Sequence, residues 1–280
     1  MIGQKELRQR ITDMVKDNVF PQFAMIVGEL GSGKKTLVKE IEKLWPEKYW
    51  LQDVSVDTIR KMITQAYKCT GKMLYVIPDA HRMSPQAKNA LLKIVEEPPK
   101  FATFIMTVSY EQTILGTLKS RGTIFQMNRY SRAELQEYLM HSKSTQNERY
   151  ILSVATTMYD IDRLLKIEIT ALQKHINTIL DKADTLTLAN LLKSSTLIDF
   201  KGESGYDLSI FFKAVRAEIY ERVRGKDSPD NIKMLYKMLE ATESGLSDIQ
   251  NTAINQRYTY ENWLLRLREI RWTSEQLKHT

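Results

Sequence analysis

A short apolar run that leads through a glycine-rich loop into an amphipathic stretch constrains this chain more than any other feature. The run is Phe23–Val27, the loop is GELGSGKKT at residues 28–36, and apolar residues then recur with helical spacing to residue 44. A strand, a glycine loop and a helix in this order are the context of a phosphate-binding loop. The glycines let backbone N–H groups surround an anion, and the helix amino terminus attracts negative charge. We therefore predict that a nucleotide phosphate binds at Gly28, Gly31, Ser32, Gly33, Lys34, Lys35 and Thr36.

One position of this loop departs from the usual pattern. The pattern G-x-x-x-x-G-K-[ST] has a hydroxyl directly after the lysine, where it ligates Mg²⁺. This chain has Lys35 at that position, and Thr36 follows one residue late. Lys35 is either a positive charge at the place of the metal or an ordinary solvated lysine. ATP or ADP is the predicted ligand, the binding of Mg²⁺ stays open, and no metal-ligating residue is predicted.

The first 127 residues alternate between apolar runs and helical patterns. Further runs occur at Met73–Ile77 and at residues 103–108, and Ser84 with Pro85 marks a helix start between them. Strands that alternate with helices predict an α/β domain with a parallel sheet covered on both faces. Asp79 follows the second run, where phosphate-loop ATPases place the carboxylate that holds Mg²⁺. A turn or capping role is the alternative for Asp79, and we expect His81 to be structural.

From Ser131 onward the apolar spacing is helical almost throughout. Ser131 and Glu134 form a capping-box pattern, which predicts a helix start. The spacing predicts helices at residues 149–158, 162–180, 186–193, 208–224, 231–242 and 246–269. Polar breaks are predicted at residues 202–205 and 225–229. The C-terminal half is therefore predicted to be all-α.

Composition narrows the cellular setting. No apolar run approaches the roughly 20 residues that cross a bilayer, and the amino terminus has no signal-peptide pattern, so we expect a cytoplasmic protein without membrane contact. The single cysteine, Cys69, excludes an intramolecular disulfide and a zinc site of several thiolates. The formal charge of +7 permits contact with nucleic acid without requiring it.

The segment PDAHRMSPQAKNALLKIVEEPP at residues 78–99 resembles a motif of the AAA+ subunits of sliding-clamp loaders. These are the delta-prime and gamma subunits of bacterial DNA polymerase III and the small subunits of replication factor C. About twenty residues later, Ser120 and Arg121 are similar to the Ser-Arg-Cys motif of that family, with Gly122 in place of the cysteine. The resemblance implies that Arg121 is an arginine finger that reaches the ATP site of a neighbouring subunit.

The resemblance continues more weakly into the helical half. Residues 151–165 are similar to the family's lid segment, whose second sensor arginine corresponds to Arg163, although plain helix packing is the alternative. Residues 252–268, with Asn255 ahead of an apolar helix, are similar to the collar helix of delta-prime-like subunits. The resemblance implies an α/β P-loop AAA+ domain at residues 1–129, a helical lid at 130–170 and an all-α collar for oligomerisation at 171–280. The missing cysteine cluster suggests a pared-down member, such as one from a phage.

The acidic motif differs from that of the family in either register. In one register Pro78 replaces the metal-holding Asp and Asp79 the water-activating Glu; in the other, Asp79 holds the metal and Ala80 leaves the Glu position empty. One acidic role is therefore vacant, and loss of such a group costs orders of magnitude in rate. We expect a delta-prime-like subunit that binds nucleotide with weak or no hydrolysis. The alternatives are an active AAA+ ATPase, such as a helicase loader, and a scaffold that binds no nucleotide.

The resemblance also implies partners. They are other AAA+ clamp-loader subunits, a sliding clamp, and primer-template DNA reached through the assembled complex. Lys88, Asn89 and Lys93 lie on the helix that follows Pro85 and are candidates to face DNA phosphates. Ordinary solvated lysines are the alternative for this helix.

Overall fold

The structure is a computed structural model that describes residues 2–142, 147–193, 198–199, 206–225, 228–249 and 254–276. The chain divides into two compact units, Met1–Glu134 and Leu135–Thr280. Within the described parts of the chain, no helix has the length and apolar character needed to cross a membrane. The division into three domains that the resemblance implies stays a prediction.

The first unit contains a five-stranded sheet. Its strands are β1 (Phe23–Val27), β2 (Glu47–Trp50), β3 (Met73–Ile77), β4 (Ala102–Val108) and β5 (Thr123–Gln126). Their order across the sheet is β2-β3-β4-β1-β5, and every neighbouring pair is parallel. The predicted parallel sheet is therefore confirmed. The sequence did not predict β2 and β5, which are the two edge strands and lack a continuous buried run.

Helices cover both faces of this sheet. They are α1 (Lys5–Lys16), α2 (Lys34–Ile41), α3 (Val56–Lys68), α4 (Pro85–Glu96) and α5 (Gly116–Lys119). Alternate residues of β1 belong to different cores: Met25 packs in the cluster that contains α3 and α4, and Ile26 packs in the cluster that contains α1 and α2. This is the period-2 alternation of a strand buried on both faces. The predicted start of α4 is confirmed, since the Ser84 hydroxyl accepts a hydrogen bond from the Ala87 N–H.

The second unit is mainly helical, as predicted. After α6 (Arg132–His141), which begins in the first unit, it contains α7 (Glu148–Val154), α8 (Met158–Leu164), α9 (Ile169–Lys182), α10 (Leu188–Lys193), α11 (Leu208–Arg224), α12 (Pro229–Ile249) and α13 (Gln256–Gln276). Two parallel two-residue strands, β6 (Ile198–Asp199) and β7 (Tyr206–Asp207), are the departure from the all-α prediction. The capping box at the start of α6 is confirmed, because Ser131 and Glu134 each accept a hydrogen bond from the other's backbone N–H.

Several helix limits differ from the predicted ones. The predicted helix at 162–180 is interrupted between α8 and α9, where Glu168 is extended at ψ 102°. No break separates residues 242 and 246: α12 continues through Gly245, where a Cβ would lie 2.9 Å from the Phe212 ring. Glycine there allows close packing of α11 on α12 rather than ending a helix. The predicted loop at 202–205 lies outside the described residues.

One buried ion pair fixes α8 to α11. The Asp160 carboxylate accepts hydrogen bonds from the N–H groups of Thr156 and Thr157, both at 2.9 Å, and pairs with Lys213 Nζ at 2.7 Å. The Asp160 side chain is 3% exposed and that of Lys213 is 12% exposed. Because little water reaches these two charges, removing either one would leave the other buried without a counter-charge and destabilise the fold. The helix that carries Arg163 is thus attached to α11, a largely buried helix of its unit.

Candidate functional site

The glycine loop lies at the carboxyl edge of the sheet. It follows β1, which lies between β4 and β5, and it ends where α2 begins at Lys34. The carboxyl edge is where open parallel α/β sheets bind their ligands. The loop is therefore placed where an anion can approach the backbone.

The loop needs glycine at three positions. Gly31 and Gly33 have φ angles of 80° and 85°, in the left-handed region that favours glycine. Gly28 has no such φ, but a Cβ there would lie 2.8 Å from Ser32 Oγ and 2.9 Å from Met127 Cβ. The three glycines of the motif are thus required by backbone conformation or by close packing.

Ser32 is turned into the protein and helps to fix the loop. It is 4% exposed, and its carbonyl accepts a hydrogen bond of 2.8 Å from the Tyr130 hydroxyl. Gly33 is the N-cap of α2 and supplies no side-chain cap. The N–H groups of the first turn of α2 are consequently available for an anion rather than for a capping side chain.

Lys34 is buried and turned back onto its own loop. Its Nζ donates to the carbonyls of Gly28, at 2.7 Å, and Glu29, at 2.6 Å, and the residue is 6% exposed. Burial lowers the Lys34 pKa from 10.5 to about 8, while the nearby Asp79 carboxylate opposes that shift. A phosphate at this loop would replace two neutral carbonyls by an anion as the partner of the ammonium.

Lys35 and Asp79, the two positions that depart from the usual pattern, are joined to each other. Lys35 Nζ lies 2.6 Å from Asp79 Oδ2. Asp79 has a left-handed backbone, with φ 49° and ψ 43°, and its N–H donates to Thr107 Oγ1 at 3.0 Å. The Asp79 carboxylate is thus directed toward Lys35 at the start of α2. Thr36, the hydroxyl that follows Lys35, is exposed on the same helix. The pair joins residues that are 44 positions apart in the sequence.

The residues around this pair do not fit Mg²⁺. Lys35 replaces the hydroxyl ligand, and its ammonium already holds the Asp79 carboxylate that would be the second protein ligand. Ala80, which follows, is fully buried and provides no carboxylate. Across the described ranges, no group of three or more His, Cys, Asp or Glu residues is arranged to hold a metal ion.

His81 does not contribute to this site. The residue is 7% exposed, and its ring packs edge-on against Tyr110 at 5.2 Å. Burial is the main cause that lowers the His81 pKa, so the ring is neutral near pH 7. This geometry agrees with the structural role expected for His81.

Arg121 lies at the opposite edge of the sheet from the glycine loop. β5 pairs with β1 so that Thr123 is opposite Ala24, which puts Arg121 near the amino end of β1. Gly28 follows the carboxyl end of the same strand, roughly 13 Å further along at about 3.3 Å per residue. Arg121 Nη2 pairs with Glu96 Oε1 at 2.6 Å, and Nη1 donates to the Thr117 carbonyl at 2.9 Å. The structure therefore does not bring Arg121 to the loop of its own chain.

Gly122 occupies a site that is too narrow for a side chain. A Cβ there would lie 2.6 Å from Phe23 Cδ1 and 2.7 Å from Met25 Cε. The apolar side chains of β1 fill the space that the motif's cysteine would need. The replacement of that cysteine by glycine thus has a packing cause inside the first unit.

Two further candidates have separate positions. Arg163 is on α8 in the second unit, and its role as a sensor arginine stays a prediction. On α4, Lys88 Nζ donates to the Thr113 carbonyl at 2.6 Å, so this lysine is occupied within its own unit. Asn89 and Lys93 are exposed. The expectation of a DNA-facing row on α4 therefore concerns these two residues more than Lys88.

Sequence reasoning missed the ion pair, although it had singled out both members. Lys35 is a cation where a metal ligand is expected, and Asp79 is a carboxylate at the end of β3. Their opposite charges were the signal that the two residues pair. It also missed the packing cause of Gly122, for which the bulky Phe23 was the only indication.

Comparisons with known proteins agree with the resemblance in the motifs. A family model described as "DNA polymerase III, delta subunit" matches residues 36–131. DNA polymerase III subunit gamma of Buchnera aphidicola is 33% identical over 89 residues, which are 31% of this chain and 24% of that protein. Replication factor C small subunit 1 of Pyrobaculum islandicum is 20% identical over 216 residues, 71% of this chain and 65% of that protein. The chain thus spans about a quarter of the first relative's length and just under two thirds of the second's.

A DNA polymerase III gamma subunit-related protein from Thermotoga maritima is a structural neighbour with a TM-score of 0.48 and 16% sequence identity. The superposition covers 94% of this chain and 99% of the neighbour. The family-model match and the curated relatives, together with the parallel sheet and its glycine loop, support a clamp-loader-like AAA+ protein.

Proposed function

We propose that this chain is a delta-prime-like subunit of a DNA polymerase sliding-clamp loader. It binds ATP or ADP, hydrolyses it slowly or not at all, and supplies Arg121 to the ATP site of an adjacent subunit. The observation that carries the proposal is the ion pair between Lys35 and Asp79, at 2.6 Å. The pair occupies the carboxylate that metal-assisted hydrolysis requires, while the Lys34 ammonium keeps a positive charge at the loop.

Nucleotide binding is supported by the glycine loop. Gly31 and Gly33 adopt the backbone conformation that directs N–H groups inward, and α2 begins at the loop without a capping side chain. The buried Lys34 ammonium donates to two carbonyls of its own loop, at 2.6 and 2.7 Å. A phosphate would give that ammonium an anionic partner, so its burial favours binding.

Slow hydrolysis follows from the state of the acidic motif. In phosphate-loop NTPases, Mg²⁺ neutralises charge on the phosphates while a further polar residue orients the attacking water. Here Asp79 is paired with Lys35, Ala80 is fully buried and His81 packs against an aromatic ring. No described side chain at the end of β3 is thus a free carboxylate that could activate water.

The role of Arg121 in a neighbouring site is supported by its position. It lies at the edge of the sheet away from its own loop, and its side chain is 36% exposed. Its guanidinium is held at the surface by Glu96 and the Thr117 carbonyl. A partner's phosphate would compete for Arg121 with the exposed carboxylate of Glu96. An exposed ion pair of this kind contributes about 1 kcal/mol or less, so the guanidinium can be released.

The partners proposed for the assembly are other AAA+ clamp-loader subunits, a sliding clamp, and primer-template DNA bound by the complete complex. Support comes from the family model, described as a DNA polymerase III subunit, and from relatives named as subunits of DNA polymerase III and replication factor C. Arg163 is proposed as the lid arginine that contacts the bound nucleotide.

Calorimetric titration of the isolated protein and a steady-state phosphate-release assay test the nucleotide part. We expect ATP to bind and turnover to stay well below roughly 1 per second, the lower end for working enzymes. Lys34→Ala should abolish binding, whereas Lys39→Ala, on the same helix and exposed, should not. Turnover at a working rate would instead favour the active ATPase, and absence of ATP and ADP binding would favour the scaffold.

The finger is tested in the complex reconstituted with the partner ATPase that co-purifies from the native source. Arg121→Ala should lower ATP hydrolysis by the complex while leaving nucleotide affinity of the isolated chain unchanged. Arg121→Lys should also be impaired, because lysine lacks the planar fork of donors. Lys119→Ala removes a neighbouring cation that pairs with Glu111 and should have little effect. Equal rates for all four complexes would exclude a finger at Arg121.

A further inference from the structure

The cation position beside the glycine loop is filled by a side chain. In phosphate-loop proteins the hydroxyl after the loop lysine and an aspartate at a strand end hold Mg²⁺ between them. In this chain the residues at those places, Lys35 and Asp79, hold each other at 2.6 Å. We infer that the site binds its nucleotide without Mg²⁺, with the Lys35 ammonium in the place of the ion. This inference rests on the proposed nucleotide binding.

The ammonium is free to contact a phosphate while it keeps Asp79. A lysine ammonium has three donors, and Asp79 uses one of them. The Lys35 side chain is 52% exposed at the first turn of α2, directly after the loop. Its remaining donors can therefore reach an anion that is bound by the N–H groups of the same turn.

The anchoring of Asp79 fixes where this ammonium lies. The Asp79 backbone is held in the left-handed region, and its N–H donates to Thr107 Oγ1 on β4 at 3.0 Å. A carboxylate attached to the central sheet thus holds a flexible lysine near the loop. Asp79 thus positions the Lys35 ammonium as the strand-end aspartate of phosphate-loop NTPases positions Mg²⁺.

Charge balance also disfavours a metal at this place. The ordinary arrangement of one lysine, one Mg²⁺ and one aspartate has a formal charge of +2 toward the phosphates. Here Lys34 and Lys35 together with Asp79 give +1 before any metal binds. Adding Mg²⁺ would give +3 and would place two cations on one carboxylate. A metal ion would therefore have to displace Lys35 before it could bind Asp79.

The test is the affinity of the full chain for ATP and for ADP, measured by calorimetry at matched ionic strength with MgCl₂ or with EDTA. For the wild type we expect the affinity in EDTA to be within about threefold of that in Mg²⁺, or tighter. Lys35→Thr restores a hydroxyl beside Asp79 and should bind ATP about tenfold or more tightly in Mg²⁺ than in EDTA. The matched control is Lys39→Thr, an exposed lysine on the same helix, which should behave as the wild type.

The outcomes separate this inference from the function on which it rests. A wild type that loses about tenfold or more affinity in EDTA still binds nucleotide, so the function stands and the inference fails. A Lys35→Thr variant that stays independent of Mg²⁺ would show that Lys35 does not replace the ion. If neither ATP nor ADP binds under either condition, both the inference and the nucleotide part of the proposed function are refuted.

Discussion

The buried ammonium of Lys34 should make the proposed nucleotide binding and the stability of the fold depend on pH in opposite directions. Burial lowers its pKa from 10.5 to about 8. A difference of this size corresponds to about 3 kcal/mol less favourable interaction of the charged form, at about 1.4 kcal/mol for each pH unit. Two consequences follow, one for the free protein and one for the complex with nucleotide.

In the free protein, the folded state releases the proton of Lys34 at a lower pH than the unfolded state does. Between pH 8 and 10.5 the unfolded chain therefore binds more protons at this residue. The free energy of unfolding should accordingly rise with pH across that window, by up to about 3 kcal/mol from this group. Below pH 8 both states are protonated and this contribution is absent.

Nucleotide binding should have the reverse dependence. The phosphates favour the charged form of Lys34, so the pKa of Lys34 should be higher in the complex than in the free protein. Between the two pKa values each rise of one pH unit should weaken ATP binding by about tenfold. Below pH 8 the affinity should be independent of this group.

Both trends can be measured between pH 7 and 10, the stability on the wild type and on Lys34→Met and the ATP affinity on the wild type. Urea denaturation reports the free energy of unfolding, and calorimetric titration reports the affinity. The difference in stability between the two proteins isolates this one ammonium from all other groups that titrate in alkali. If that difference does not change above pH 8, or if wild-type ATP affinity is constant up to pH 10, Lys34 does not have the lowered pKa described above.

Two further predictions concern packing and are measured by urea denaturation of the full chain. Gly122→Ala should lower the free energy of unfolding by about 1–3 kcal/mol because its Cβ would lie 2.6 Å from Phe23. The control is Gly116→Ala, whose Cβ would meet nothing within 4 Å and which should cost nothing measurable. Equal losses for the two variants would contradict this reasoning. Lys213→Met should lower the free energy of unfolding by about 3 kcal/mol, since it leaves the 3%-exposed Asp160 carboxylate without its counter-charge. Adding Asp160→Asn should recover part of that loss. Strictly additive losses would refute the coupling between Lys213 and Asp160.

The interior of the sheet could be predicted from the sequence, whereas its edges could not. β1 is buried at every residue, so hydrophobic periodicity was sufficient. β2 begins with Glu47 and Lys48, both exposed, and pairs with only one neighbour. A short strand of this composition has no local pattern, because it is formed by hydrogen bonds to β3. Edge strands are commonly short and charged for the same reason, which limits pairing with other chains.

The glycine loop could also be predicted, but the pairing of its neighbours could not. Local rules identified Lys34 and flagged Lys35 and Asp79 separately, because each breaks a motif at its own place. Their contact depends on how β3 lies beside β4 and β1, which no local pattern contains. Gly245 is a similar case. The apolar spacing predicted a helix break around this residue, but the glycine is needed there because the Phe212 ring of another helix packs against it.

The departures at this site compensate one another, which argues that the proposed slow hydrolysis would not result from a single lost residue. Lys35 alone would be an unpaired cation, and Asp79 alone would be a carboxylate without a cation, but together they are neutral at 2.6 Å. Ala80 is fully buried in the core that contains Met83 and Ala87. A glutamate at residue 80 would have to bury its charge among apolar side chains, at a cost of several kcal/mol unless it found a partner. A hydroxyl at residue 35 can thus return a metal ligand to the site, but an activating carboxylate cannot return without repacking the first turn after β3.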